Sequence, residues 1–242
     1  MYTNHSKPKQ HTSKDIKEGF MAGIPIVIGY FPVAMAFGLL ARTVNVSLQD
    51  TFFFSLLVFA GASQFMAIDL IKAGIAPLDI ILATFLLNLR HLMMSASLAV
   101  RLEEIKKRWL PFIAFGITDE SFSVASMKKG ALSFPFLMTL QGIAYLAWLS
   151  GTVTGYLIGS VLPVTLQNSL GVGLYAMFMA ILMPEIKKSL NVLLLSVFSG
   201  AVYISLDFIN VLPSGWNLII AIIVASGIGV MVLKDDPGEE RI

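Results

Sequence analysis

The chain contains no cysteine, so disulfides and thiol chemistry are excluded and thiols carry no information about its redox compartment. It is also poor in charge. Only 13% of its 242 residues are charged and 56% are hydrophobic, whereas a soluble domain carries ~25% charged residues. Three histidines are too few for a soft-metal site, and His5 and His11 lie in the polar N-terminal tail. There is no G-x-x-x-x-G-K-[ST] phosphate loop and no H-E-x-x-H motif, which argues against a self-powered pump and against a zinc hydrolase. No cofactor, metal or nucleic-acid partner is expected. No loop between apolar runs exceeds about ten residues, so there is no room for an extramembrane domain.

What the chain has instead is long apolar runs, at 19–41, 52–71, 78–100, 110–127, 133–161, 169–184, 189–212 and 216–233. They are continuously apolar rather than alternating, which excludes a membrane β-barrel. The predicted fold is all-α, a polytopic transmembrane helical bundle with six to eight membrane segments, multi-pass in the cell membrane. Residues 1–18 form a cytoplasmic tail bearing Lys7, Lys9, Lys14 and Lys17, residues 19–233 the membrane domain, and residues 234–242 a second tail. The first run is too long for a signal-peptide core and is taken as the first span. Pro25, Gly29 and Pro32 interrupt it, giving either a bent packing helix or a break lining a pathway.

Positive charge gives a conflict. Loops rich in Lys and Arg face the cytoplasm, yet counting three spans puts Arg101, Lys106, Lys107 and Arg108 outside. A broken or re-entrant segment resolves this, and the runs at 78–100 and 110–127 are the candidates. Val46-Ser47-Leu48-Gln49-Asp50-Thr51 is echoed by Val164-Thr165-Leu166-Gln167-Asn168-Ser169. The echo reads as convergent helix capping or as an internal duplication, a common plan among secondary transporters. Gly151, Gly155 and Gly159 lay a smooth stripe along one helix face, suited to close helix packing.

Against this apolar background the polar groups stand out. Asn88-Leu89-Arg90-His91 lies in the middle of the 78–100 run, where an arginine costs roughly 2.5–3.5 kcal/mol to insert. On a helix, Thr84, Asn88, His91 and Ser95 form one stripe. Arg90 points elsewhere, roughly 160° from Asn88 on the helical wheel, and needs its own acid. Asp119, Glu120 and Asp69 are the candidates. An arginine paired in this way either fixes helix register or holds a substrate carboxylate. His91 is either a bonded structural group or a proton relay. Ser63 and Gln64, inside Gly61-Ala62-Ser63-Gln64-Phe65, offer donors and acceptors within the bundle. Asp119 and Glu120, inside Thr118-Asp119-Glu120-Ser121-Phe122, are expensive at depth unless paired, protonated or wet, or else form a loop at the membrane surface. The candidate substrate-binding or ion-coupling residues are thus Ser63, Gln64, Asn88, Arg90, His91, Ser95, Asp119 and Glu120.

Three segments, Gly61–Phe65, Asn88–Leu98 and Thr118–Phe122, resemble in order and spacing the AzlC family, the large subunit of two-component branched-chain amino acid exporters. The second segment is the specific one, and 169–242 has no comparable motif. The resemblance implies export of valine, leucine, isoleucine and analogues such as azaleucine. It also implies a small AzlD-like membrane subunit as partner and a driving force from the membrane potential or proton gradient. It carries no residue roles; those above come from side-chain chemistry alone. Two other classes are weaker. An intramembrane enzyme would rest on Ser95 and His91, which lack an orienting third group and oxyanion donors. A structural subunit leaves the charges at depth unexplained.

Overall fold

The structure, a computed structural model, describes residues 12–102, 105–159 and 189–209, with scattered positions between 161 and 229. Of the second echo segment only Thr165 is described. Residues 1–11, 166–178 and 230–242 lie outside the described residues, as do the second half of the expected duplication and the start of the second tail, whereas the expected boundary at residue 18 falls within a helix that begins at Thr12. Within them the regular structure is helical apart from one isolated bridge, Leu102 to Leu132. The helices are α1 (Thr12–Thr43), α2 (Leu48–Leu57), α3 (Gly61–Lys72), α4 (Pro77–Asn88), α5 (Arg90–Ala99), α6 (Leu110–Phe115), α7 (Asp119–Met127), α8 (Phe134–Ile158) and α9 (Leu190–Ile209). Among the described residues four stretches suffice by length and composition to cross a membrane: α1, Pro77–Ala99, α8 and α9. This is an all-α membrane bundle.

The chain divides into two compact units, one made of residues 1–64 and 89–171, the other of 65–88 and 172–242. The second unit packs Leu70 and Ala83 into a small core with Met66, Ile75, Ile80 and Leu86. The first unit is built on α1 and α8, which lie parallel. At the proximal end, where α1 begins, Ser133 donates to Asp15 (2.7 Å) and Lys128 pairs with Glu18 (2.6 Å). At the distal end Arg42 Nη1 donates to the Tyr156 carbonyl (2.8 Å). Helix α1 runs unbroken through Pro25 and Pro32, so the packing-helix alternative holds there. The glycine stripe has its partner on α1. A Cβ on Gly151 would lie 2.6 Å from the Phe31 carbonyl oxygen, and one on Gly155 would fall on the Met35 backbone. From the other side, Gly38 packs on the Thr152 carbonyl.

The structure answers the charge conflict by placing Arg101 at the proximal end. The Arg101 guanidinium donates to the carbonyls that end α7, at Ser126 (2.8 Å), Lys128 and Gly130 (3.0 Å), satisfying groups that a helix C-terminus leaves open. The Leu132 N–H donates to the Arg101 carbonyl (2.8 Å), and the Trp109 ring lies 5.2 Å from that of Phe134. The stretches 101–109 and 128–134 therefore both sit at the proximal end, and the segment between them enters and leaves on one side. Helix α6 is about 9 Å long and α7 about 14 Å, each far short of a ~30 Å hydrocarbon core. The 110–127 run is a re-entrant hairpin whose tip is Gly116-Ile117-Thr118. Its two feet carry Arg101, Lys106, Lys107, Arg108, Lys128 and Lys129, on the side of the lysine-bearing start of α1, which the positive-inside rule assigns to the cytoplasm.

Two other runs depart from their expected form. The 52–71 run reads as continuous in sequence, but the structure breaks it at Val58-Phe59-Ala60, with Val58 extended (φ −123°, ψ 94°). The Gln64 amide donates to Ser55 Oγ at 3.0 Å, although nine residues of straight helix would separate them by about 13 Å, so the chain bends sharply there. The 78–100 run is interrupted only at Leu89, which itself keeps helical dihedrals (φ −55°, ψ −27°). Cysteines at Lys107 and Lys129 should label with an impermeant thiol reagent from the same side of the membrane, and one at Gln49 from the other. Labelling of 107 and 129 from opposite sides would mean that 110–127 is a full crossing.

Candidate functional site

The hairpin tip is held by its own side chains. Thr118 Oγ1 accepts from the Ser121 N–H (3.2 Å) while Ser121 Oγ accepts from the Thr118 N–H (2.8 Å), a reciprocal cap for the first turn of α7. Ser121 Oγ also donates to the Gly116 carbonyl (2.9 Å). Gly116 packs against Gln141 of α8, whose amide donates to the Ile113 carbonyl (3.1 Å). This cap places Asp119 and Glu120 in the first turn of α7, where the helix dipole favours carboxylates.

Both acids have partners. Asp119 Oδ2 lies 2.8 Å from Arg90 Nη1, so Arg90 takes Asp119 from among the acids the sequence offered. The pair is neither sealed nor open, with side-chain exposures of 35% and 27%. Arg90 opens α5, about 14 Å from that helix's proximal end. Glu120 makes a short contact with the Tyr30 hydroxyl of α1, which also lies 2.7 Å from Thr118 Oγ1. Tyr30 sits about 18 Å along α1 from Glu18 at 1.5 Å per residue, so the cluster is near mid-membrane and is not a surface loop.

An aromatic wall surrounds this cluster. Phe59, from the break between α2 and α3, stacks edge-on with Tyr30 (6.0 Å) and Tyr145 (5.2 Å). It also lies 6.2 Å from Phe115, the residue just before the hairpin tip. The two breaks therefore meet, one from each end of the α1–α8 frame. Behind them Trp148 Nε1 donates to Gln64 Oε1 (2.7 Å), and Ser55 Oγ lies 2.8 Å from Thr152 Oγ1. Gln64 is fully buried with its amide bonded on both sides, so it ties α3 to α2 and α8.

The structure thus brings Arg90, Asp119 and Glu120 together. Ser63 is buried, and His91 and Ser95 are half-buried on α5. Asn88 is half-buried and belongs to the second unit, so the stripe drawn through Thr84, Asn88, His91 and Ser95 is divided at Leu89. Thr84 spends its hydroxyl on its own helix, on the Ile80 carbonyl (2.8 Å). The sequence did not single out Tyr30, Phe59, Phe115 or Tyr145. The only pointer was the Gly29–Pro32 interruption beside Tyr30, since an aromatic residue in an apolar run otherwise looks like packing.

The stretch that holds these groups is also the one that matches a protein family. The model described as AzlC protein covers residues 25–162. The chain belongs to the AzlC family. Among its relatives is a membrane protein of Archaeoglobus fulgidus, 36% identical over 82% of this chain and 88% of that protein. The inner membrane protein YgaZ of Escherichia coli is 32% identical over 78% of this chain and 80% of its own length. The branched-chain amino acid transport protein AzlC of Bacillus subtilis is 24% identical over 98% of this chain and 91% of its own. No solved structure matches. In this AzlC-family chain the matched segment contains all of α2 to α8, both breaks and every member of the Arg90–Asp119–Glu120–Tyr30 cluster.

Proposed function

We propose that this chain is a secondary exporter of branched-chain amino acids in the cell membrane, working with a small AzlD-like subunit. The observation that carries the proposal is the Arg90–Asp119 pair, with Glu120 beside it, where two broken helices meet at depth. Intramembrane ionisable groups mark transport pathways, and discontinuous helices build transporter sites near the midplane. The name of the Bacillus subtilis relative supports the substrate class.

The chemistry suits a small zwitterion with an apolar side chain. Arg90 is planar and always charged, and Asp119 occupies only part of its fork. Its Nε is buried and has no hydrogen-bond partner, which leaves a donor for a carboxylate. Glu120 offers an acceptor for an ammonium group. Phe59, Phe115 and Tyr145 supply apolar surface for a branched side chain without a further polar demand. Nothing in this set needs a cofactor.

Cells that produce the chain with its neighbour-encoded small subunit should release preloaded labelled valine faster than cells with an empty vector. Unchanged efflux with both subunits in the membrane would reject the exporter reading.

A further inference from the structure

We propose that Glu120 is a shared site, occupied in turn by a proton and by the ammonium group of the substrate, and that Tyr30 is its positioning residue. This rests on the exporter reading and adds the means of coupling. Tyr30 has one hydroxyl proton but touches two oxygens, Thr118 Oγ1 at 2.7 Å and Glu120 Oε2 more closely still. One of the two contacts must therefore run toward Tyr30. When Glu120 is ionised, Thr118 donates to Tyr30 and Tyr30 donates to the carboxylate. When Glu120 carries a proton, the acid donates to Tyr30 and Tyr30 donates to Thr118. In both arrangements Thr118 Oγ1 still accepts from the Ser121 N–H (3.2 Å). No heavy atom has to move between them, so Glu120 can gain and lose a proton while the hairpin tip stays docked on α1.

Burial shows which member of the chain exchanges. Tyr30 and Thr118 are 4% and 6% exposed, whereas Glu120 is half-buried and keeps an open side. Charge then sets the stoichiometry. Arg90 and Asp119 cancel, so the cluster carries −1 with Glu120 ionised and zero with Glu120 protonated. A bound zwitterion with its carboxylate on Arg90 adds no net charge, and its ammonium takes the place of the proton on Glu120. The displaced proton leaves to water. One zwitterion is exchanged for one proton, so one elementary charge moves per cycle, and an inward proton gradient and an inside-negative potential both drive export.

On the packed elements, Lys14, Asp15, Lys17 and Glu18 lie at the proximal end of α1, and Arg42 and Tyr156 at the distal ends of α1 and α8; the other groups that titrate or carry charge are Asp119 on α7, Arg90 and His91 on α5, and Tyr145 on α8. Arg90 is paired with Asp119 at 2.8 Å. The Tyr145 hydroxyl is committed to the Leu56 carbonyl (2.7 Å). His91 is the one competitor that ordinarily titrates near neutrality, so the test includes it.

The experiment is L-valine binding to the purified two-subunit complex in weak buffer, across pH, with an indicator dye reporting released protons. The wild type should release one proton per valine, with affinity falling as the medium is acidified. E120Q should bind valine at least about tenfold more weakly, the loss of one charge-assisted contact, with no proton release and no pH dependence. Should E120Q fail to fold, E120D is expected to keep proton release with a displaced midpoint. H91A should release protons as the wild type does. Y30F should still bind valine but move the pH midpoint by roughly one unit, the worth of a hydrogen bond to a charged group; a purely structural tyrosine would change stability and leave the midpoint in place. Wild-type binding of valine without proton release, proton release by E120Q, its loss in H91A, or an unmoved midpoint in Y30F would overturn the proposal alone. No binding of valine to the wild type would overturn the exporter reading and the proposal with it.

Discussion

Arg90→Ala is expected to reduce valine transport at least about a hundredfold, equivalent to ~2.7 kcal/mol, while the protein still inserts. Insertion should improve, because an arginine at this depth costs roughly 2.5–3.5 kcal/mol that alanine does not. The loss is one of function: the variant leaves Asp119 without its 2.8 Å partner and removes the only guanidinium in the cluster. Arg90→Lys should recover little, since an ammonium on a flexible stem replaces a planar fork that serves two acceptors at once. The double variant Arg90→Ala with Asp119→Ala separates a structural pair from a functional one. Removing both charges relieves the unpaired acid, so a merely structural pair would give a folded and active double variant. The expected result is a folded and inactive one, measured as transport per molecule of membrane-inserted protein.

The second large effect is expected at Gly155. Its Cβ position falls on the Met35 backbone, and backbone cannot swing aside as a side chain can. Overpacking in a core ordinarily costs 1–3 kcal/mol, and Gly155→Ala is expected at or above about 3 kcal/mol because α1 and α8 must separate along their whole contact. Gly142 lies on the same helix with nothing within 4 Å of the same position, so Gly142→Ala should be close to neutral. Thermal unfolding in detergent checks the pair. Equal melting temperatures for the two variants would mean that the stripe is not the α1–α8 contact.

Much of this was legible in the sequence because membrane burial makes charge conspicuous. The helical class follows from continuous apolar runs. The need of Arg90 for an acid follows from the cost of an unpaired charge, and two of the three acids offered, Asp119 and Glu120, do sit in the cluster. The count of positive loops signalled that a segment before Arg101 failed to cross; of the two runs named only 78–100 precedes it, and that run is interrupted only at Leu89, whereas the sharp bend lies in 52–71, which was not named. The break at Val58-Phe59-Ala60 was not legible. It carries neither glycine nor proline at its centre, and its cause is tertiary, Phe59 seated among Tyr30, Phe115 and Tyr145. Gln64 looked like a pathway residue because an amide in a span is unusual; its partner Trp148 comes from a helix 84 positions away, which no local pattern reveals. Tyr30 was hidden for the same reason, its partners Thr118 and Glu120 being 88 and 90 positions distant. Long-range pairing decides these sites, and local periodicity does not record it.

The central claim is that the cluster at the hairpin tip is a transport site for branched-chain amino acids. Valine counterflow tests it most directly, in proteoliposomes containing the chain and the proposed small subunit, with wild type and Arg90→Ala compared at equal incorporation. Counterflow needs binding and reorientation but no gradient, so it tests the site apart from its coupling. The account predicts rapid uptake of labelled valine against internal unlabelled valine in the wild type, competition by leucine and isoleucine, and uptake near the empty-liposome level for Arg90→Ala. Wild-type counterflow that persists unchanged in Arg90→Ala, or no counterflow in the wild type, would contradict it.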